Sequence, residues 1–189
     1  MSNIFFVSDT HWGHANIIKY SNRPFTDVDE MDEKLIENWN KVVKRDDMVY
    51  HLGDFAFMKI EKFRQLIWRL NGNIGVIKGN HDQMITENEA ELSKRFVFIK
   101  NYYELKAAGQ FFVLFHYGQR VWHRSHKGSI HLYGHSHGSL PPHGKSVDVG
   151  VDCKEITSEY RPIYLGEVLD YMKDRTPAHV DYHGSKRLS

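Results

Sequence analysis

Apolar residues come in short runs along the chain, divided by polar stretches that carry apolar positions at helical spacing. Residues 3–9, NIFFVSD, form a compact run rich in Ile, Phe and Val, the pattern of a buried strand. A proline-containing polar stretch, 21–32, reads as a loop. Met31, Leu35, Trp39 and Val43 then recur every fourth residue and predict an amphipathic helix over 30–44. A second strand is predicted at 47–54 (DMVYHLGD). Ile60, Phe63, Ile67 and Leu70 mark another helix face, stopped by the Asn-Gly-Asn of 71–73. NIGVIKGNHD, from 73, gives a third strand and its exit. This β-α-β-α-β order favours parallel pairing with helices laid on the sheet.

The second half changes character. Residues 95–118 read as strands with a hairpin turn near Ala108-Gly109. SIHLYGHSHG (129–138) and SVDVGVD (146–152) are two more short strands, and 161–175 ends the ordered pattern with a strand and one helix. About eight strands and three or four helices are expected, in one α/β domain over 1–175 followed by a polar tail, 176–189.

Composition narrows the function. With 41% hydrophobic and 26% charged residues the chain is ordinary for a globular protein. A net charge of +1 offers no basic excess for an extended nucleic-acid surface. No apolar run reaches the roughly 18 residues of a membrane span, and the N-terminus lacks a secretory leader pattern, so a cytoplasmic protein is expected. Cys153 is the only cysteine, which removes disulfides and multi-thiolate zinc sites. Histidine is the residue in excess, 13 in all, and several stand beside Asp, Asn or another His.

Those residues collect at strand exits: Asp9-Thr10-His11, Gly53-Asp54, Gly79-Asn80-His81-Asp82, His116, and Gly134-His135-Ser136-His137. In α/β sheets ligands bind beyond the carboxyl ends of strands, so five exits converge on one place. Asp9 and His11, two apart in an extended segment, should face the same way. The adjoining glycines allow sharp turns. Asp, His and Asn suit hard-to-borderline divalent ions. Seven such ligands exceed one four-coordinate ion and suit two ions about 3.5–4 Å apart sharing a carboxylate. Taken singly, a His at a strand end is more often a surface residue and an Asp before a turn a cap; the case is their joint occurrence.

SDTHWGH, LGDF, KGNHD, FH and YGHSHG, in that order from Asp9 to His137, resemble the five blocks of the calcineurin-like metallophosphoesterases. VDVGVD followed by RPIYLGEV is similar to the C-terminal end of small bacterial and phage members. The resemblance implies a four-layer α/β/β/α sandwich of two mixed sheets flanked by helices, with a dimetal site at the C-terminal edge of the strands. It implies Asp9, His11 and His137 on a first divalent ion, Asn80, His116 and His135 on a second, and Asp54 bridging. Manganese is the first choice, with Fe/Mn, zinc or nickel as alternatives. His81 is implied as a catalytic histidine off the metals, oriented by Asp82. The implied reaction is in-line hydrolysis of a phosphoester by a metal-bridging water or hydroxide. A phosphodiester or small nucleotide is favoured over a monoester, because no capping domain is evident. A non-catalytic metal-binding scaffold of the same fold is the alternative from another class.

Further residues are less committed. Arg120 and Arg124, in the cationic and aromatic segment 117–129, and His14 after the first motif are candidate substrate contacts. Trp12 and Asn16 divide evenly between lining the entrance and packing. Arg23 has only its loop position in its favour. His51 and Cys153 are expected to pack, and His179 and His183 to be inert.

Overall fold

The computed structural model describes residues 2–178. β1 (Ile4–Val7), α1 (Ile17–Tyr20), α2 (Val28–Val42), β2 (Met48–His51), α3 (Ile60–Arg69) and β3 (Asn73–Ile77) follow in order. Asp27 caps α2 by accepting from the Glu30 N–H at 2.9 Å, while Glu30 reaches back to the N–H of Thr26 at 2.7 Å. Two short helices, α4 (Gln83–Glu87) and α5 (Glu89–Leu92), lead to β4 (Phe96–Lys100). At four to five residues, α1, α4 and α5 are too short to leave a periodic signature, and none was expected from the pattern.

The chain then changes sheets. β4 is the edge of a first sheet ordered β4-β3-β2-β1-β9, parallel except for β9 (Ile163–Tyr164). After Asn101, β5 (Tyr102–Ala107) opens a second sheet ordered β5-β6-β7-β8. β5 and β6 (Gln110–Phe115) form the expected hairpin, its two turn residues Ala108 and Gly109 at φ 47° and 74°. β6, β7 (Ile130–Tyr133) and β8 (Ser146–Asp148) are parallel. Both sheets are therefore mixed.

Alternation along the strands builds two cores. Phe5, Val7, Val49, Ile74 and Val76 of the first sheet meet Met31, Leu35 and Trp39 of α2 and Phe63 and Ile67 of α3. Phe6, Tyr50 and Ile77 point the other way and pack between the sheets on Phe112, Leu114, Leu132 and Val147. Val168 and Met172 of α6 (Leu165–Met172) join that inner core. Truncating a fully buried ring such as Trp39 to Ala would cost about 3–5 kcal/mol. On the outer face of the second sheet the cover is thin. The Trp122 ring lies 5.3 Å from that of His131, Arg124 stacks over Phe111 at 5.0 Å, and the helical content of this stretch is one 3-10 turn, Ser125–Lys127.

This topology aims seven parallel strands, β1 to β4 and β6 to β8, at one edge. There the sheets are stitched together: Ser8 N–H donates to Val149 O and Val151 N–H to Ser8 O, each at 3.1 Å. No helix of the described residues is long and apolar enough to cross a membrane.

Candidate metal centre

Each exit loop is held by its neighbour. Asp9 N–H donates to Gly53 O at 3.0 Å, His11 N–H to Asp54 O at 3.1 Å, and Gly134 N–H to His116 O at 2.9 Å. Asp9 and His11 share a direction, but not through extended backbone. Asp9 (φ 56°), His11 (51°), Asp54 (53°), His135 (67°) and His137 (47°) all lie in the left-handed region. Asp and His tolerate that region better than most residues, yet each position costs about 1 kcal/mol or more, stored at the site. Gly53 turns at φ 99°, and a Cβ on Gly79 would collide with the Asp54 carboxylate.

The loops assemble two donor groups. Asp9, His11 and His137 each place one ligand atom within 4.8 Å of the others, and so do Asp54, His116 and His135. Asp54 Oδ2 is 3.6 Å from His116 Nε2 and 3.7 Å from His11 Nε2, so one oxygen faces both groups. Its other oxygen accepts from the His81 N–H at 2.9 Å. His116 Nδ1–H donates to Leu52 O at 2.7 Å, which leaves the Nε2 lone pair aimed at Asn80 Oδ1, 3.1 Å away. Asn80 Oδ1 thus lies beside the second group.

The donor set fits divalent ions on three observations. The buried atoms Asp9 Oδ1 and His11 Nε2 have no hydrogen-bond partner. His116 Nε2 and Asn80 Oδ1 are two acceptors facing each other. Burial, reinforced by Asp148 and Asp54, pushes the Asp9 carboxyl well above its ordinary pKa, the signature of clustered acids that need a cation. Burial likewise lowers His11 to about 2, with His137 and Arg23 adding to it, so its ring is neutral and ready to coordinate.

Behind these atoms lies a support that the sequence did not reveal. Asp152 accepts from His137 Nδ1–H at 2.7 Å and from both Nε and an Nη of Arg23 at 2.8 Å. Arg23, 4% exposed, also donates to Asp9 O and Thr10 O at 2.7 and 2.8 Å. It is a brace under the first group. Asp148 accepts from Gly138 and Gly150 N–H groups at 2.9 and 2.7 Å. The available signal was the sixth strand exit, VDVGVD, which ends in Asp152 as the other five end in Asp, Asn or His.

A cavity of about 870 Å³ opens over the two groups, lined among others by His14, His81, His135 and His137. His81 sits off both groups, its ring edge-on to that of His11 at 5.8 Å. His14 also lines the cavity, its Nδ1 accepting from Ile17 N–H at 2.9 Å. Three expectations are corrected. Asp82 does not orient His81: its oxygens accept from Gly79, Asp54 and Phe55 N–H groups at 2.7, 2.9 and 2.9 Å, and none of its hydrogen bonds reaches the His81 ring. Arg120 opens on a different cavity, with Pro141, Pro142 and His143, and Arg124 is spent on Phe111. Both belong to the segment that leaves the metal edge to cover the second sheet. Trp12 packs at 0% exposure, and His51 is buried between Trp39 and Phe55 with its Nε2 2.9 Å from Thr10 Oγ1. His179 and His183 lie outside the described residues.

Parallel strand ends carrying two His/Asp groups, joined by one carboxylate and opening on one cavity, define a metallophosphoesterase-like α/β protein. The chain belongs to the calcineurin-like phosphoesterase superfamily, whose domain model matches residues 2–177. It is 37% identical over 174 residues to an uncharacterized protein of Methanocaldococcus jannaschii, covering 87% of this chain and 88% of that one. It is 28% identical over 181 residues to the gene 66 protein of Mycobacterium phage D29, covering 81% and 89%. Among solved structures, a protein of unknown function from Aquifex aeolicus shares the fold, with a TM-score of 0.69 and 23% identity over 90% of this chain and 99% of that one. The family is one of metal-dependent phosphoesterases.

Proposed function

We propose that the protein is a dinuclear metal-dependent hydrolase that cleaves a phosphodiester or a small nucleotide by in-line displacement at phosphorus. The observation that carries this reading is the placement of Asp54 Oδ2, 3.7 Å from His11 Nε2 and 3.6 Å from His116 Nε2. Asp9, His11 and His137 would hold one divalent ion, Asn80, His116 and His135 the other, and Asp54 both. Manganese is our first assignment, with Fe/Mn, zinc or nickel as alternatives compatible with these donors. When bound, such ions lower the pKa of a water and offset charge on the phosphoryl oxygens. Asp152 keeps the His137 proton on Nδ1, and Leu52 O does the same for His116, so both rings offer Nε2 to the site. His81 faces the cavity free of either group, where its ring can hydrogen-bond a phosphoryl oxygen or protonate the departing oxygen. The reading takes residues 1–175 as one catalytic domain. It places the protein in a reducing, cytoplasmic setting, in keeping with its lone buried Cys153.

The test is hydrolysis of bis-p-nitrophenyl phosphate beside p-nitrophenyl phosphate, by protein stripped of metal and reloaded with manganese. Asp54→Asn is the control. Faster diester cleavage, abolished in the variant, is expected. Faster monoester cleavage would make the protein a phosphomonoesterase of the same mechanism. Two bound metals with cleavage of neither ester would favour a non-catalytic scaffold.

A further inference from the structure

The cavity above the two groups is far larger than a phosphoryl group and lies in the range, about 300–1,000 Å³, of sites that enclose whole small molecules. Beside the His137 group, its wall is made by α1, the residues just after it and the loop after β7. Ile17, Tyr20 and Leu140 supply apolar surface, and Asn22 supplies a neutral amide. Ser21 Oγ lies 3.3 Å from His137 Nδ1 and Ser139 Oγ donates to Ser136 O at 2.6 Å, so these two hydroxyls offer their remaining lone pairs. Among the described residues no lysine or arginine lines it. Tyr20 is 73% exposed and Leu140 44% exposed, so both side chains are open to a molecule held in the cavity. The Tyr20 ring is not adrift. It stands 6.3 Å from the ring of His14, whose Nδ1 takes the Ile17 N–H and so anchors α1 against the site.

We propose that this wall is a nucleoside subsite: Tyr20 stacks on the base of a nucleoside phosphodiester while the neighbouring neutral groups meet the sugar. The inference rests on the phosphoesterase reading and deepens it. The charge pattern selects the class. A pyrophosphate, a nucleotide with several phosphates or a nucleic-acid backbone brings further negative charge, and a wall without cations leaves that charge unpaired. A nucleoside brings none. Its planar base suits a tyrosine face, and its hydroxyls can donate to the Asn22 amide oxygen and to the remaining lone pairs of Ser21 and Ser139.

The experiment is calorimetric binding of two singly charged alkyl diesters, thymidine 5′-(ethyl phosphate) and diethyl phosphate, to the manganese-loaded protein carrying His81→Ala, which slows their turnover, with each Tyr20 variant made in that background. The nucleoside ester should bind at least about tenfold more tightly. Tyr20→Ala should remove about tenfold of that affinity, Tyr20→Phe should keep it, and neither should alter diethyl phosphate binding. Equal affinity of the two esters for the parent protein, or unchanged thymidine-ester binding in Tyr20→Ala, overturns the subsite. Because the readout is binding, loss of the phosphoesterase reading is seen separately, as absence of p-nitrophenyl ester cleavage.

Discussion

The carboxylate of Asp152 accepts from His137 Nδ1 at 2.7 Å while both its oxygens are gripped by Arg23. Burial alone would raise the Asp152 pKa, but the hydrogen bonds from His137 and Arg23 outweigh it and hold the carboxyl below its ordinary value. An ionised carboxylate fixes the His137 tautomer and ring plane and increases the basicity of Nε2. Asp152→Asn should therefore weaken the first metal about 10–100-fold and leave the second nearly untouched. Metal titration of the apo variant should resolve one normal and one weakened site. Equal weakening of both sites would make Asp152 a general structural support.

Asp82 works on backbone. Three N–H groups end on its two oxygens, two of them from Asp54 and Phe55. In Asp82→Asn one N–H must meet an amide NH₂, so a buried donor goes unpaired at a cost of about 1–3 kcal/mol. The loop carrying Asp54 should loosen with it. Expected are a lower midpoint of urea unfolding and reduced binding of both metals. Normal stability and metal content with slower turnover alone would restore Asp82 as a partner of His81.

His81 can be separated from the ligands by its leaving-group dependence. Its ring is exposed to the cavity and outside both donor groups. His81→Ala should keep two metals and a wild-type melting temperature. For alkyl esters, whose leaving oxygen needs a proton, kcat should fall about 10²–10⁴-fold. For p-nitrophenyl esters, whose leaving group departs as a stable anion, the loss should be much smaller. An equal loss on both would assign His81 to phosphoryl binding instead of proton transfer.

The sequence carried the donor residues but not the geometry that unites them. Asp9, Asp54, His116 and His135 were legible because each follows a short apolar run, and a parallel sheet sends all such ends to one edge. The left-handed backbone at Asp9, His11, Asp54, His135 and His137 was not, since Asp and His occupy that region only where the surroundings impose it. Arg23 and Asp152 are 129 positions apart, and nothing local marks them as partners. Arg120 and Arg124 misled for the converse reason. Adjacency to His116 in sequence implied adjacency in space, yet the chain turns away after Tyr117 to cover the second sheet. The switch between sheets at Asn101 was hidden because β4 and β5 read as one run of strand-forming residues.

Asp32 holds the loop after His11 by accepting from the Gly13 N–H at 2.9 Å. Burial raises its pKa to about 6, partly opposed by that N–H. In the unfolded chain it titrates near 3.8. Between these values the folded protein binds more protons than the unfolded one, so stability falls as pH rises through the window. Above pH 6 the half-buried carboxylate is ionised and destabilising, by about 1–2 kcal/mol after allowance for solvent screening. Asp32→Asn keeps the acceptor and removes the charge. Relative to wild type it should gain about that much at pH 7.5 and gain nothing at pH 4, measured by urea unfolding of the metal-free proteins. A difference between the two proteins that is the same at both pH values would show that the carboxyl is not titrating in the fold.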